Sequence, residues 1–181
     1  MPLQHVDPHR KHGWMYRAMV RFGRSRLGQL YARLIAARIE PYLYRFDSRG
    51  YLARLQIIAT ATLVTTGAKT RKQRKVQLAY FHDQNDPILI GSNFGGATHP
   101  QWTYNLVANP ECVFGGDSFV AVEVTDPNEY ERLYGLAEKV YTGYADYRAK
   151  TAHLGRRIPL FRLSLTAAQA EGDQTALRRP A

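Results

Sequence analysis

The stretch TATLVTTGAKTRKQRKVQLAYF, residues 60–81, decides the fold because it holds two strand patterns joined by one short basic loop. Residues 60–66 are rich in β-branched side chains and end at Gly67. After the loop, apolar side chains alternate with others at Val76, Leu78 and Tyr80. Such patterns on both sides of a short connection predict two neighbouring strands of a half-buried sheet.

The strand pattern recurs downstream and is interrupted by two helix patterns. Further strands are predicted at ILIGS (88–92), ECVF (111–114), SFVAVEV (118–124) and IPLFRLSL (158–165). Helices are predicted at HPQWTYNLVANP (99–110) and from Asn128 to about Val140. The connections are too short for βαβ crossovers, so about six antiparallel strands are expected to close into a small or half-open barrel. The predicted fold class is α+β, mainly β.

A region of different character precedes the barrel. From His9 to about Tyr44 the apolar positions follow helical spacing, with arginines between them, which predicts one or two amphipathic helices. The predicted organisation is a basic helical extension packing on the barrel (1–59), the barrel itself (60–166) and a flexible polar tail (167–181).

Charge is divided unevenly along the chain, whose formal net charge is +10. Residues 1–75 hold sixteen Lys and Arg against three acids, whereas residues 76–181 hold nine against twelve. A basic half of this kind suits nucleic acid, an anionic membrane surface or a small polyanionic ligand, and charge alone leaves these alternatives open. For the predicted helices, packing on the barrel and contact with anionic lipid both agree with the pattern.

Several features favour a cytoplasmic protein without a bound metal. The single cysteine, Cys112, has no intrachain partner, and the first residues lack the apolar run of a secretory signal. No stretch approaches the roughly 18 apolar residues of a spanning helix. His5, His9 and His12 fall in an N-terminus that is expected to be frayed, so their spacing does not predict a metal site.

The basic loop packs five cations into positions 69–75. A nucleotide P-loop would need Gly at position 62 and Lys at position 68, where this chain has Thr and Ala. A dinucleotide site is excluded as well, because no glycine-rich turn joins a strand to a helix. What remains is a strand-to-strand loop in which Gly67 is expected to take a positive φ, Thr70 offers a hydroxyl and the cations converge on a multivalent anion. A merely solvated loop is the alternative.

Two further segments carry candidate functional side chains. GSNFGGATHPQWTYNL (91–106) places glycines before a helix start, which suits the approach of a flat ligand or an anion, or simply connects a hairpin to a helix. In YTGYADYRAK (141–150) the tyrosines recur every third residue and, on one helix, would form a slanted stripe of hydroxyls. No residue stands out as a strong acid, base or nucleophile, which in an enzyme indicates chemistry carried by a cofactor.

The segments LVTTGAKTRKQRKVQLAYFHD and ILIGSNFGGATHPQWTYNLVANPE, with the tyrosines and RRIPLFRL, resemble the deazaflavin-dependent nitroreductase family. The shared motifs are T-T-G-x-K-[ST]-x-x-x-R and S-x-x-G-x-x-x-x-P-x-W-x-x-N-L-x-A-N-P, and the similarity covers roughly residues 60–165. The family consists of flavin and deazaflavin oxidoreductases with a split β-barrel. The resemblance implies coenzyme F-420, an 8-hydroxy-5-deazaflavin with a polyglutamate tail, as hydride donor, with FMN as the alternative cofactor.

The resemblance also implies site residues. The basic loop is expected to hold the phosphate and polyglutamate tail through Gly67, Lys69, Thr70 and Arg74, with Arg71 and Lys72 as helpers. The ring is expected to be lined by Val76, Gln77, Leu78, Ser92, Asn93, Gly95, Gly96 and Trp102. The acceptor is expected to be bordered by Tyr141, Tyr144 and Tyr147. The candidate catalytic hydrogen-bond donors are Ser92, Tyr144 and Tyr147.

The activity implied by the resemblance is reduction of small hydrophobic acceptors such as quinones, nitroaromatics or enones. Nucleic acid is then not expected as a partner, and contact of residues 10–54 with the inner face of the plasma membrane would suit a lipid-soluble quinone. A monomer or homodimer is expected. The competing hypothesis is a non-catalytic basic protein that binds a membrane surface or nucleic acid through residues 10–54.

Overall fold

The computed structural model describes residues 3–9, 21, 25 and 59–166. Apart from residues 9, 21 and 25, the helices predicted from His9 to about Tyr44 lie outside the described residues, as does the tail predicted for residues 167–181.

Within residues 59–166 the chain forms six strands and three α-helices. The strands are β1 (Thr60–Thr66), β2 (Gln73–Asp83), β3 (Asp86–Ile90), β4 (Glu111–Phe114), β5 (Asp117–Glu123) and β6 (Leu160–Leu165). The helices are α1 (Gln101–Ala108), α2 (Pro127–Val140) and α3 (Gly143–Ala152), and a 3-10 turn spans Asn93–Gly95.

The six strands close into a barrel in the order β1-β2-β3-β6-β5-β4. Every neighbouring pair is antiparallel, which confirms the prediction from the short connections. The barrel closes where β1 meets β4 through three residue pairs, among them Leu63 opposite Phe114. The first hairpin, β1 with β2, is longer and pairs seven residues.

Among the described residues, the buried apolar side chains form two clusters. One fills the barrel around Leu63, Leu89 and Phe114, and α1 adds Trp102 and Leu106 to it. The second lies between the barrel and the helices α2 and α3, and its fully buried members include Leu133, Tyr134, Ala137, Ile88 and Leu160. Burying a large apolar side chain stabilises a fold by roughly 1.5–3 kcal/mol, so α1 is fixed to the barrel mainly by its two core residues.

Residues 3–9 pack along β2, so the expectation of a frayed N-terminus is wrong for this segment. The Val6 amide donates to His82 Nδ1 at 3.0 Å, and the His82 amide donates to the Val6 carbonyl at 2.9 Å. Tyr80 donates its hydroxyl to the Gln4 carbonyl, and His5 stacks on His82 with ring centroids 4.6 Å apart. Burial, followed by the nearby His5, lowers the pKa of His82 to about 4, so the ring is neutral near pH 7.

The tyrosines do not lie on one helix, which corrects the stripe expected from their spacing. Tyr141 follows α2 with an extended backbone, φ −148° and ψ 109°, whereas Tyr144 and Tyr147 belong to α3. Gly143 makes this break feasible, since a β-carbon there would collide with the Tyr141 ring. The three rings still cluster, with centroids 5.6 to 6.2 Å apart.

Candidate functional site

The basic loop closes on itself between β1 and β2. The Gly67 amide donates to the Lys72 carbonyl, and the Arg71 amide donates to the Gly67 carbonyl, both at 2.9 Å. The left-handed residue is Arg71, with φ 57°, and not Gly67, so the prediction of a positive φ at Gly67 is wrong. Glycine is required there for close approach instead, because a β-carbon would lie 2.7 Å from the Thr70 hydroxyl oxygen.

Two asparagines clamp this loop: Asn105 belongs to α1, and Asn109 directly follows the end of α1. Asn105 accepts from the Ala68 amide and donates to the Thr65 hydroxyl, each at 3.0 Å. Asn109 donates to the Thr66 carbonyl at 3.3 Å and accepts from the Arg71 guanidinium. The C-terminal half of α1 and the residue that follows it therefore hold both ends of the loop.

The loop and the start of α1 enclose a cleft of about 920 Å³. The predicted site residues that line it are Gly67, Lys69, Thr70, Arg74, Val76 and Trp102. Lys75, one of the five loop cations expected to converge on an anion, lines it as well. Sequence reasoning did not assign a role to its other lining residues, which are Thr65, Ala68, Pro100, Gln101, Tyr104 and Asn105. The volume lies in the upper part of the range of small-molecule sites. The cleft therefore brings together side chains from two parts of the chain, residues 65–76 and 100–105.

The lining of the cleft is strongly basic. Lys69, Arg74 and Lys75 line it, and Lys72 is exposed on the same loop. None of these four is ion-paired with a carboxylate of the described residues. Because α1 begins at Gln101, beside the cleft, the N-terminal amides of the helix add to the positive potential.

Other predicted cofactor residues lie outside the lining of the cleft. The Arg71 guanidinium is bound to Asn109. Gln77 donates to the Thr60 hydroxyl at 3.0 Å and accepts from the Thr62 hydroxyl at 2.8 Å. Leu78 is half-buried against the barrel core, as is Val76, which also lines the cleft. Ser92, Asn93, Gly95 and Gly96 do not appear in the lining, since their loop packs on α3.

The loop of residues 92–96 and the tyrosines form a second group. Phe94 is 52% exposed and meets the edge of the Tyr147 ring, with centroids 6.1 Å apart. Tyr144 and Tyr147 are buried, whereas Tyr141 is half-buried. Burial, with a further contribution from the Tyr141 hydroxyl, raises the pKa of Tyr147, so its phenol keeps its proton at physiological pH. Such a phenol can donate a hydrogen bond but cannot act as a base.

Arg156 donates hydrogen bonds to the loop of residues 92–96 and to the residues on either side of it. Sequence reasoning did not identify this residue. It lies between α3 and β6 and donates to the Gly91 carbonyl at 2.7 Å and the Gly96 carbonyl at 2.8 Å. Its Nε donates to His99 Nδ1 at 3.1 Å. Burial and the adjacent guanidinium lower the pKa of His99, which favours the neutral ring. The sequence gives no local signal, because Arg156 stands beside a second arginine, Arg157, that makes none of these contacts.

Residues that suggest other chemistry are absent from the described part of the chain. Burial raises the pKa of the Cys112 thiol to about 11, so it remains protonated and unreactive. Residues 3–9 and 59–166 contain no cluster of three metal-ligating side chains. Among the same residues, no helix has both the length and the apolar character needed to span a membrane.

Comparison with known proteins identifies the family. The family model described as F-420H(2)-dependent quinone reductase matches residues 37–164. A Mycobacterium tuberculosis protein named "Putative F-420H(2)-dependent quinone reductase Rv3178" is 30% identical over 106 residues, which cover 57% of this chain and 87% of that protein.

Two solved structures resemble the fold. An F-420-H2-dependent reductase (FDR-A) has a TM-score of 0.50 and 32% identity, covering 58% of this chain and 93% of its own. A structure described as a domain-swapped dimer has a TM-score of 0.53 and 27% identity, covering 71% of this chain and 98% of its own. Together with the family match, these likenesses confirm the split-barrel fold and the deazaflavin-dependent reductase class that the motifs imply. The chain therefore belongs to the F-420H(2)-dependent quinone reductase family, and it is an oxidoreductase whose cofactor is coenzyme F-420.

Proposed function

We propose that the cleft between the basic loop and α1 binds reduced coenzyme F-420, and that the protein reduces a quinone or a similar hydrophobic acceptor such as a nitroaromatic or an enone. The observation that carries the proposal is the convergence of Lys69, Thr70 and Arg74 with Trp102 on one cleft. A ligand with a multivalent anionic tail and a flat apolar end would satisfy both parts of this lining.

The residues present fit the coenzyme. Lys69, Arg74 and Lys75 supply charge-assisted donors for a phosphate and several carboxylates, and the Thr70 hydroxyl adds a neutral donor. Val76 and Trp102 supply apolar surface for the ring. When bound, the reduced coenzyme would supply the hydride, which agrees with the lack of a strong acid, base or nucleophile in the chain.

The protein's own part in the reaction is to orient the acceptor and to stabilise negative charge that develops on it. Ser92, Tyr144 and Tyr147 are the proposed donors, and Tyr141 the third wall of the acceptor site. The raised pKa of Tyr147 supports a donor role, since a phenol that keeps its proton can stabilise an oxyanion. Solvent is the proposed source of the final proton.

A fluorescence titration with coenzyme F-420 tests the cleft. The double variant Lys69→Ala with Arg74→Ala is expected to bind at least tenfold more weakly, because charge-assisted hydrogen bonds contribute roughly 1.5–3 kcal/mol each. The matched control, Lys139→Ala with Arg157→Ala, removes one lysine and one arginine outside the basic loop and the cleft lining, and it should bind within about threefold of the unaltered protein. Equal losses in both variants would refute the assignment. Tight binding of FMN without binding of coenzyme F-420 would refute the cofactor.

We also infer a cytoplasmic location with peripheral binding to the inner face of the plasma membrane through residues 10–54. Support comes from composition, since this segment holds eleven Lys and Arg against two acids. Flotation with phosphatidylglycerol vesicles should recover the protein, and phosphatidylcholine vesicles should not. The double variant of Lys69 and Arg74 should float equally well; failure to float on either lipid would overturn the inference. Size-exclusion chromatography distinguishes monomer from homodimer.

A further inference from the structure

The loop of residues 92–96 has an unusual backbone. Three consecutive residues adopt left-handed conformations, with φ 49° at Asn93, 53° at Phe94 and 73° at Gly95. Glycine and asparagine tolerate this region, but a bulky residue such as phenylalanine rarely enters it and is strained there. A conformation of this kind persists only if contacts from outside the loop hold it in place.

Arg156 supplies those contacts. Its guanidinium donates to the carbonyls of Gly91, Ser92 and Gly96, at 2.7, 3.1 and 2.8 Å. These carbonyls lie on both sides of the left-handed run, so one side chain joins the two ends of the loop. The fourth contact, from Nε to His99 Nδ1 at 3.1 Å, fixes the orientation of the guanidinium plane. The planar, permanently charged guanidinium suits this geometry, whereas an ammonium group could not reach all four acceptors.

The held loop presses against α3. A β-carbon on Gly95 would lie 3.2 Å from the Tyr147 Cα, so the two backbones are in close contact. Phe94 meets the edge of the Tyr147 ring, and it stands out from the surface with about half of its area exposed. The position of Phe94 and of Ser92 relative to the tyrosines therefore depends on the conformation that Arg156 holds.

We propose that Arg156 is a positioning residue for the acceptor site. By holding residues 93–95 in the left-handed conformation, it places Phe94 against Tyr147, fixes the loop that carries Ser92, and so sets the affinity for a planar acceptor. It makes no contribution to coenzyme binding, because it lies outside the lining of the cationic cleft. The inference rests on the proposed function, in which this loop and the tyrosines border the acceptor.

The test compares Arg156→Gln and Arg156→Lys with the control Arg157→Gln, which alters the neighbouring exposed arginine that stacks on Tyr130. Three measurements are made on the full chain: amide hydrogen exchange of residues 91–98 without coenzyme, steady-state kinetics with reduced coenzyme F-420 and menadione, and fluorescence titration with coenzyme F-420. We expect faster exchange in Arg156→Gln and a rise of KM for menadione on the order of tenfold or more, as for loss of a charged hydrogen-bond donor. The dissociation constant of coenzyme F-420 should stay within about twofold. Arg156→Lys should be intermediate, and Arg157→Gln should match the unaltered protein.

Each other result has a distinct meaning. Unchanged exchange in Arg156→Gln overturns the hold on the loop, whether or not the enzyme binds its coenzyme. Faster exchange with an unchanged KM overturns the role in acceptor binding but leaves the coenzyme cleft intact. If coenzyme affinity falls by the same factor by which the KM for menadione rises, the separation of the two sites is overturned. If Arg156→Gln does not fold, the same measurements on Arg156→Lys test the proposal. An unchanged KM for menadione in Arg156→Lys then overturns it.

Discussion

Replacing Asn105 with alanine should loosen the basic loop and weaken coenzyme binding. This side chain is 8% exposed and makes two hydrogen bonds of 3.0 Å, with the Ala68 amide and the Thr65 hydroxyl. A neutral hydrogen bond contributes about 1 kcal/mol net, and a buried amide left without a partner costs about 1–3 kcal/mol. We therefore expect Asn105→Ala to lower the free energy of unfolding by about 2–3 kcal/mol, or Tm by roughly 5–10 °C for a chain of this size.

The coenzyme should bind more weakly to this variant because a loosened loop must be ordered on binding. Urea unfolding and fluorescence titration measure the two effects. The variant Asn105→Asp separates them, since it still accepts from the Ala68 amide and the Thr65 hydroxyl can turn to donate to it, while its charge repels an anionic tail. It should be nearly as stable as the unaltered protein yet bind less coenzyme. If Asn105→Ala is destabilised but binds coenzyme normally, the reasoning that α1 pre-organises the loop is wrong.

Three further predictions concern stability. Burial lowers the pKa of His82 from 6.5 to about 4, so its contribution of about 3 kcal/mol to the free energy of unfolding is present above pH 6.5 and lost as the pH falls through 4. Urea midpoints measured against pH should show this loss, and His82→Asn should make stability nearly independent of pH in that range. Two arginines lower the pKa of Asp83 from 3.8 to about 2, so its contribution of about 2 kcal/mol is present above pH 3.8 and lost as the pH falls to 2, giving a second step. Gly67→Ala should destabilise the protein by about 1–3 kcal/mol, because the added β-carbon would collide with Thr70. Gly135→Ala, at a helical position with open space around it, should stabilise the protein by up to about 1 kcal/mol. Equal effects of the two variants would contradict the close contact between Gly67 and Thr70.

The barrel was accessible from sequence because its signals are local. Alternation and β-branched residues predict strands within a few positions, and ECVF at 111–114 matches β4 residue for residue. Pro100 and Asn109 bound the predicted helix, which spans Gln101–Ala108. The charge density of the loop also correctly singled out the segment that lines the cleft, since Lys69 and Arg74 both reach it.

The contacts that fix the site were not accessible, because they join residues far apart in the chain. No pattern within a few positions indicates that Asn105 accepts from Ala68, or that Arg156 holds a loop 60 residues earlier. The same holds for Val6, whose pairing with His82 spans 76 residues and replaces the frayed terminus that polarity suggested. The break at Tyr141 was missed because three-residue spacing alone does not reveal where a helix ends.

The asparagine clamp described above has a kinetic consequence. Its hydrogen bonds span 37 to 43 residues, whereas the hairpins β1–β2 and β4–β5 pair near neighbours in sequence. Contacts of long sequence separation form late in folding, because loop-closure entropy opposes them until the hairpins exist. We therefore expect the walls of the cleft to meet late in folding, after the hairpins have formed. Coenzyme bound between them should prolong the lifetime of the folded protein by slowing its unfolding, and leave the rate at which new chains fold almost unchanged.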